Sequence, residues 1–167
     1  IDSTTIALFS NLIFKVVGRH PKTGKKKGGI KVHANIHANE CVPSDIRFTS
    51  AATNDSFMLR PSNYAKGDIV ALDRAYIDYD KFEELTERDV VYVTKMKKNL
   101  VYETESDTMY MNPEGLMEFR VQQVIFRKHV KDGEDIVHRA RIITYVDIKK
   151  NKQRLVSLLT NDFEMDL

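Results

Sequence analysis

Asp68-Ile69-Val70-Ala71-Leu72-Asp73 is the stretch on which the reading of this chain turns. Four consecutive apolar residues between two acids predict a central strand covered on both faces, as in a sheet flanked by helices. An acid at the end of such a strand stands where open α/β sheets place their ligand chemistry. Downstream, Asp80-Lys81-Phe82-Glu83 has the form of a capping box, and Tyr79, Phe82 and Leu85 fall on one helical face. Val90 to Thr94 then returns as a second buried strand. Strand, helix, strand in this order implies a parallel pair joined by a right-handed crossover, so the expected class is α/β.

The pattern extends in both directions. Upstream, residues 30–38 alternate, with Ile30, Val32, Ala34 and Ile36 on one face and Lys31, His33, Asn35 and His37 on the other. That two-residue period predicts a half-buried strand. Asp45 to Ser50 repeats it, and Asn54-Asp55 can cap a short helix that Pro61 limits. After about residue 100 the segments become β-rich. Val121 to Phe126 and Ile136 to Val146 flank Lys131-Asp132-Gly133-Glu134, a hairpin signal, and a turn at Lys149 to Lys152 leads to Leu155-Val156-Ser157-Leu158-Leu159. Asn161 or Asp162 then reads as the N-cap of a helix. Both ends of the sequence look cut, so a fragment is expected.

Composition narrows the class further. With 42% hydrophobic and 30% charged residues, the 167-residue chain has the profile of a globular protein with a real core. No apolar run approaches the roughly 20 residues that cross a bilayer. The net charge is only +2, yet positive charge concentrates at Lys22, Lys25, Lys26, Lys27 and Lys31, and again at Lys95, Lys97 and Lys98. Such clusters are either solvated turns or places where phosphates are met. The single cysteine, Cys41, forms no internal disulfide, which fits a reducing, cytoplasmic setting.

Two carboxylates carry the chemistry: Asp2, within a first strand, and Asp73, at the tip of the central one. A carboxylate in or ending a buried strand is costly unless it is paired, hydrogen-bonded or bound to a cation. Mg²⁺ prefers such oxygen ligands and keeps waters that leave room for phosphate. The plain alternative makes Asp2 a frayed residue and Asp73 a turn residue. A zinc site at His33, His37 and Cys41 is a rival, since the spacing would align them on a helix. The strand pattern argues against it, because in a strand His33 and Cys41 lie about 26 Å apart at roughly 3.3 Å per residue. Acyl transfer has no support, for there is no G-x-S-x-G elbow and Cys41 has no activating neighbour.

Several short segments, in order, resemble the DDE transposases of bacterial insertion sequences. Ile1-Asp2-Ser3-Thr4-Thr5 resembles the first aspartate motif, and Gly28-Gly29-Ile30-Lys31-Val32-His33 the glycine-rich turn and K-x-H strand after it. Asp73-Arg74-Ala75-Tyr76 resembles the D-R-G-Y motif of the second aspartate, with Ala75 in place of glycine. Leu159-Thr160-Asn161 resembles the strand end before the last catalytic helix. The resemblance implies a ribonuclease-H-like mixed sheet with flanking helices and an inserted antiparallel β lobe. On that plan residues 1–99 are an incomplete catalytic core, 100–160 the β-rich insertion and 161–167 the start of the last helix.

The resemblance also implies Asp2 and Asp73 as catalytic ligands for two Mg²⁺ or Mn²⁺ ions, and double-stranded DNA, at transposon ends and target, as partner. Lys25, Lys26, Lys27, Lys31 and Arg74 are candidates for its backbone. A homodimer in the synaptic complex and a bacterial cytoplasmic location follow from the same likeness. The family branch with a β insertion carries its glutamate in a Y-R-E-K signature that does not occur here, and Glu164 lacks its neighbours. These residues alone are therefore expected to be inactive. The alternative is a non-catalytic remnant that binds DNA or protein.

Overall fold

A computed structural model describes residues 1–7, 29–131, 133–149 and 152–165. Lys25, Lys26, Lys27, Gly28 and Asp132 lie outside the described residues. The chain divides into two compact units, Ile1–Leu59 and Arg60–Leu167.

The first unit holds β1 (Asp2–Ala7), β2 (Gly29–His37) and β3 (Val42–Ser50), an antiparallel sheet in the order β1-β2-β3. Its register sets Asp2, Ala34 and Ile46 in one row across the strands, and Ser3, His33 and Arg47 in the next. Cross-strand partners share a face, so Asp2 and Thr4 lie with Val32, Ala34 and Phe48, whereas Ser3 and Thr5 lie with Lys31, His33 and Thr49. The alternation expected for residues 30–38 is present, but the polar face is the one that is covered. His33 is buried, whereas Ile36, Ile46 and Phe48 are exposed. The cover is a 3-10 turn, Asp55–Met58, whose cap Asn54 accepts from the Ser56 amide at 3.3 Å. From that turn the Asp55 carboxylate meets Ser3, Lys31 and His33.

The second unit holds β4 (Ile69–Leu72), α1 (Tyr79–Glu87), β5 (Val91–Lys95), β6 (Glu103–Met111), β7 (Met117–Lys128), β8 (Ile136–Lys149) and β9 (Lys152–Thr160). They form a six-stranded sheet in the order β4-β5-β9-β8-β7-β6, parallel between β4 and β5 and antiparallel elsewhere. The strand-helix-strand expectation therefore holds, and the mixed α/β architecture is consistent with a ribonuclease-H-like fold. One expectation is corrected: β4 is not a central strand covered on both faces. It ends the six-stranded order, with Val70 and Leu72 buried but Ile69 63% exposed. The run Ile-Val-Ala-Leu hid a two-residue period, because apolar side chains occupy both the buried and the exposed face of the strand.

Helix α1 starts at Tyr79 with Asp78 as cap residue, two positions before the expected capping box. It buries Phe82 and Leu85, and Phe82 stacks on Tyr92 with ring centroids 3.9 Å apart. Beneath it lies His138, fully buried on β8. Its Nε2 is 2.6 Å from the Tyr92 hydroxyl and its Nδ1 2.5 Å from Glu83 Oε1. A neutral imidazole protonated on Nδ1 satisfies all three groups, donating to Glu83 while Tyr92 donates to Nε2. Burial holds the His138 pKa below its usual value, against the opposing pull of Glu83.

The hairpin expected around Lys131 to Glu134 joins β7 to β8, with Lys128 facing Ile136. Asn112 builds the β6–β7 turn, its Oδ1 accepting from Glu114 N at 3.1 Å and Leu116 N at 2.8 Å, with Gly115 at φ +77°. At the chain's far end the two candidate caps have separate tasks. Asp162 Oδ1 accepts from Glu164 N and Met165 N, both at 2.9 Å, which is capping geometry. Asn161 instead continues the β5–β9 ladder with its side chain. Its Oδ1 accepts from Tyr92 N, and its Nδ2 donates to Val90 O and to Thr86 Oγ1, each at 2.9 Å. No helix among the described residues is long and apolar enough to cross a membrane.

His138 makes stability depend on pH. The folded protein holds it neutral, whereas the unfolded chain protonates it below about pH 6.5. Its contribution is complete above that value and is lost as pH falls through the lower folded-state pKa. Urea midpoints between pH 7.5 and 5 are expected to drop more steeply for the wild type than for His138→Gln; equal slopes would remove the group from the account.

Candidate functional site

Asp2 lies on β1 with an exposed side chain, and its Oδ1 accepts from the Ser3 amide at 2.7 Å. Asp73 is the first residue after β4. It caps a 3-10 turn, Arg74–Tyr76, through Oδ1, which accepts from Ala75 N at 2.9 Å. Tyr76, fully buried, anchors that turn. The two aspartates are thus held alike: one carboxylate oxygen takes a nearby backbone amide, and neither acid has an ion pair among the described residues. A carboxylate fixed in this way leaves its second oxygen to another partner, and carboxylate oxygens are the donors that hard divalent cations prefer.

Arg74 projects from the turn that Asp73 caps and helps to line a groove of about 820 Å³. Lys95, the last residue of β5, lines it too, with Lys97, Lys98, Tyr102 and Arg154. The link is held down where Met96 N donates to Ser157 O at 2.9 Å. Arg154 is bound to Asp147, and Arg120, Arg127 and Arg139 each hold an acid as well. Arg74, Lys95, Lys97 and Lys98 have no acidic partner among the described residues. Their charge is uncompensated at the end of the sheet where Asp73 stands.

The other expected residues divide. Lys31, expected at DNA, has a side chain only 12% exposed; its ammonium donates to Thr53 O at 2.7 Å and lies 3.3 Å from Asp55. His33, His37 and Cys41 do not form the helical row that a zinc site would need. His33 and His37 lie on β2, and Cys41 sits exposed in the turn after it at φ +53°. His33 Nε2 is occupied by Thr49 Oγ1 at 2.8 Å. No group of three His, Cys, Asp or Glu able to hold a metal ion occurs among the described residues. Burial lowers the His33 pKa; Asp55 opposes this and Lys31 adds to it.

Sequence reasoning missed Ser3 and Asp55. Asn54-Asp55 was legible as a cap, but nothing local showed that Asp55 turns back over β1 and β2. The Lys95, Lys97 and Lys98 cluster was visible as charge without its tie to Arg74.

The mixed six-stranded sheet, with a parallel pair joined through α1, is consistent with a ribonuclease-H-like fold. The profile of one family, the transposase DDE domain, matches residues 1–165, and the chain belongs to that family. Transposases of this family generally use divalent metal ions, and the family is one of DNA-binding nucleotidyl transferases. No curated protein matches the chain.

The cap role of Asp73 separates from its charge. Asp73→Asn keeps the capping oxygen and is expected to unfold within a few tenths of a kcal/mol of wild type, whereas Asp73→Ala loses about 1 kcal/mol. Urea denaturation checks both, and equal losses would mean that the cap contributes nothing.

Proposed function

We propose that this chain is the catalytic core of an insertion-sequence transposase, in which Asp2 and Asp73 together hold divalent ions, Mg²⁺ or Mn²⁺, against DNA. The observation that carries the reading is the shared state of the two aspartates. Each is fixed by one backbone amide and free of any cation partner among the described residues, and Arg74, the residue after Asp73, lines a groove rich in basic side chains. A pair of such ions, when bound, stabilises the attacking and leaving oxygens of phosphoryl transfer.

The chain's own residues do the rest. Asp2 and Asp73 supply ligand oxygens from β1 and from the end of β4. Arg74, Lys95, Lys97 and Lys98 take the phosphates of the DNA backbone, positioning the strand without reading its sequence. The Lys25-Lys26-Lys27 segment adds further backbone contacts. Strand cleavage at the ends of the element, then attack of a 3′-hydroxyl on target DNA, is the reaction this arrangement serves, with residues 100–160 as an insertion in the core and a homodimer bringing two ends together in a bacterial cytoplasm.

Two measurements test the reading. Mn²⁺ titration followed by water-proton relaxation is expected to weaken at least tenfold in both Asp2→Asn and Asp73→Asn; if either variant binds like wild type, that residue is not a ligand. Duplex DNA affinity is expected to fall with salt, each lost phosphate contact reducing the log–log slope by about 0.9. The Arg74→Ala, Lys97→Ala double variant should therefore lose about 2 from the slope. An unchanged slope would take the groove out of the DNA path. DNA binding that is intact, with no response to Mn²⁺ in any variant, would favour a remnant that only binds.

A further inference from the structure

The covered polar face of the first unit gathers three polar side chains around one carboxylate oxygen. Asp55 Oδ1 accepts from Ser3 Oγ at 2.8 Å and lies 3.3 Å from Lys31 Nζ and 3.6 Å from His33 Nδ1. The Asp55 side chain is only 17% exposed. Its partners are themselves secured, Lys31 by the Thr53 carbonyl and His33 by the Thr49 hydroxyl. A carboxylate this well enclosed is expensive unless paired, and with a cation and a hydroxyl on one oxygen it becomes a stiff node whose members fix one another.

Ser3 connects that node to the opposite face. Its hydroxyl is held by Asp55, while its backbone amide donates to Asp2 Oδ1 at 2.7 Å. Strand alternation puts Asp2 and Ser3 on opposite faces, so the node lies behind the strand and not among the ligands. The orientation of the Ser3 peptide, and with it the amide that Asp2 uses, is set from behind. We infer that Asp55, acting through Ser3, is a positioning residue for the Asp2 carboxylate, fixing the direction in which Asp2 offers its other oxygen to a divalent cation. Lys31 is the counter-charge of this device, not a DNA contact. The inference rests on the proposed role of Asp2 as a ligand. Groups that orient a ligand in this way typically alter metal affinity by about tenfold to a hundredfold.

The test is Mn²⁺ affinity by water-proton relaxation, paired with urea denaturation, in Asp2→Asn, Ser3→Ala, Ser3→Thr and Asp55→Asn. Ser3→Ala removes the hydroxyl yet leaves the backbone amide, so it is expected to weaken Mn²⁺ binding about tenfold. Ser3→Thr, which restores a hydroxyl and suits a strand, is expected to recover wild-type affinity. Asp55→Asn should weaken binding like Ser3→Ala, and should Asp55→Asn fail to fold, the two serine variants decide. If Asp2→Asn leaves Mn²⁺ affinity unchanged, the ligand role of Asp2 fails and the inference with it. If Asp2→Asn weakens binding but Ser3→Ala does not, the ligand role stands and the inference is overturned. Equal weakening by Ser3→Ala and Ser3→Thr, in step with the urea midpoint, overturns it too, by reducing Ser3 to a structural residue.

Discussion

A carboxylate that is to receive a divalent cation must stay ionised, stay in place and stay unclaimed, and these demands conflict. The usual means of holding a charged side chain still is an opposite charge, which would also occupy it. Asp2 and Asp73 are held by a backbone amide instead, a donor with no net charge to neutralise them. The elements around each aspartate follow from that solution. Asp73 needs a turn that aims Ala75 N back at it, and buried Tyr76 fixes that turn against the core. Asp2 needs the Ser3 peptide in one orientation, and the enclosed Asp55 node behind β1 supplies it.

The two units reach rigidity by different routes. The second has an apolar centre in which α1 lays Phe82 and Leu85 on the sheet, and the buried His138 links Tyr92 to the half-buried Glu83 beside it. Each of the three has a partner, so its desolvation is offset and its geometry specifies how the helix sits. The first unit covers its polar face, and there the fixed points are hydrogen bonds and an ion pair.

Much of the fold was legible because periodicity and turn chemistry are local. The parallel pair with α1 between and the hairpin near Gly133 could both be read from spacing. Relations between distant segments could not. Whether Ile69 faced a helix or the open side depended on which strands flank β4, which the run Ile-Val-Ala-Leu does not encode. The alternation at 30–38 gave the strand but not its covered face, since Asp55, more than 15 residues away, decides that. Asn161 had the composition of a cap, yet its amide completes a ladder with β5, a partner 69 residues distant. For the site, Asp2 and Asp73 were visible as acids on strands, whereas the contact that orients Asp2 lies on the far side of its sheet.

The proposal on which the functional reading rests is that Asp2 and Asp73 ligate the same metal centre. A crystal of the protein soaked in Mn²⁺, with anomalous diffraction recorded near the manganese edge, tests it directly. The account predicts a peak within coordination distance, about 2 Å for a hard cation with oxygen ligands, of a carboxylate oxygen from both Asp2 and Asp73. Ordered Mn²⁺ on one of them alone, or two carboxylates too far apart to share an ion, would contradict it.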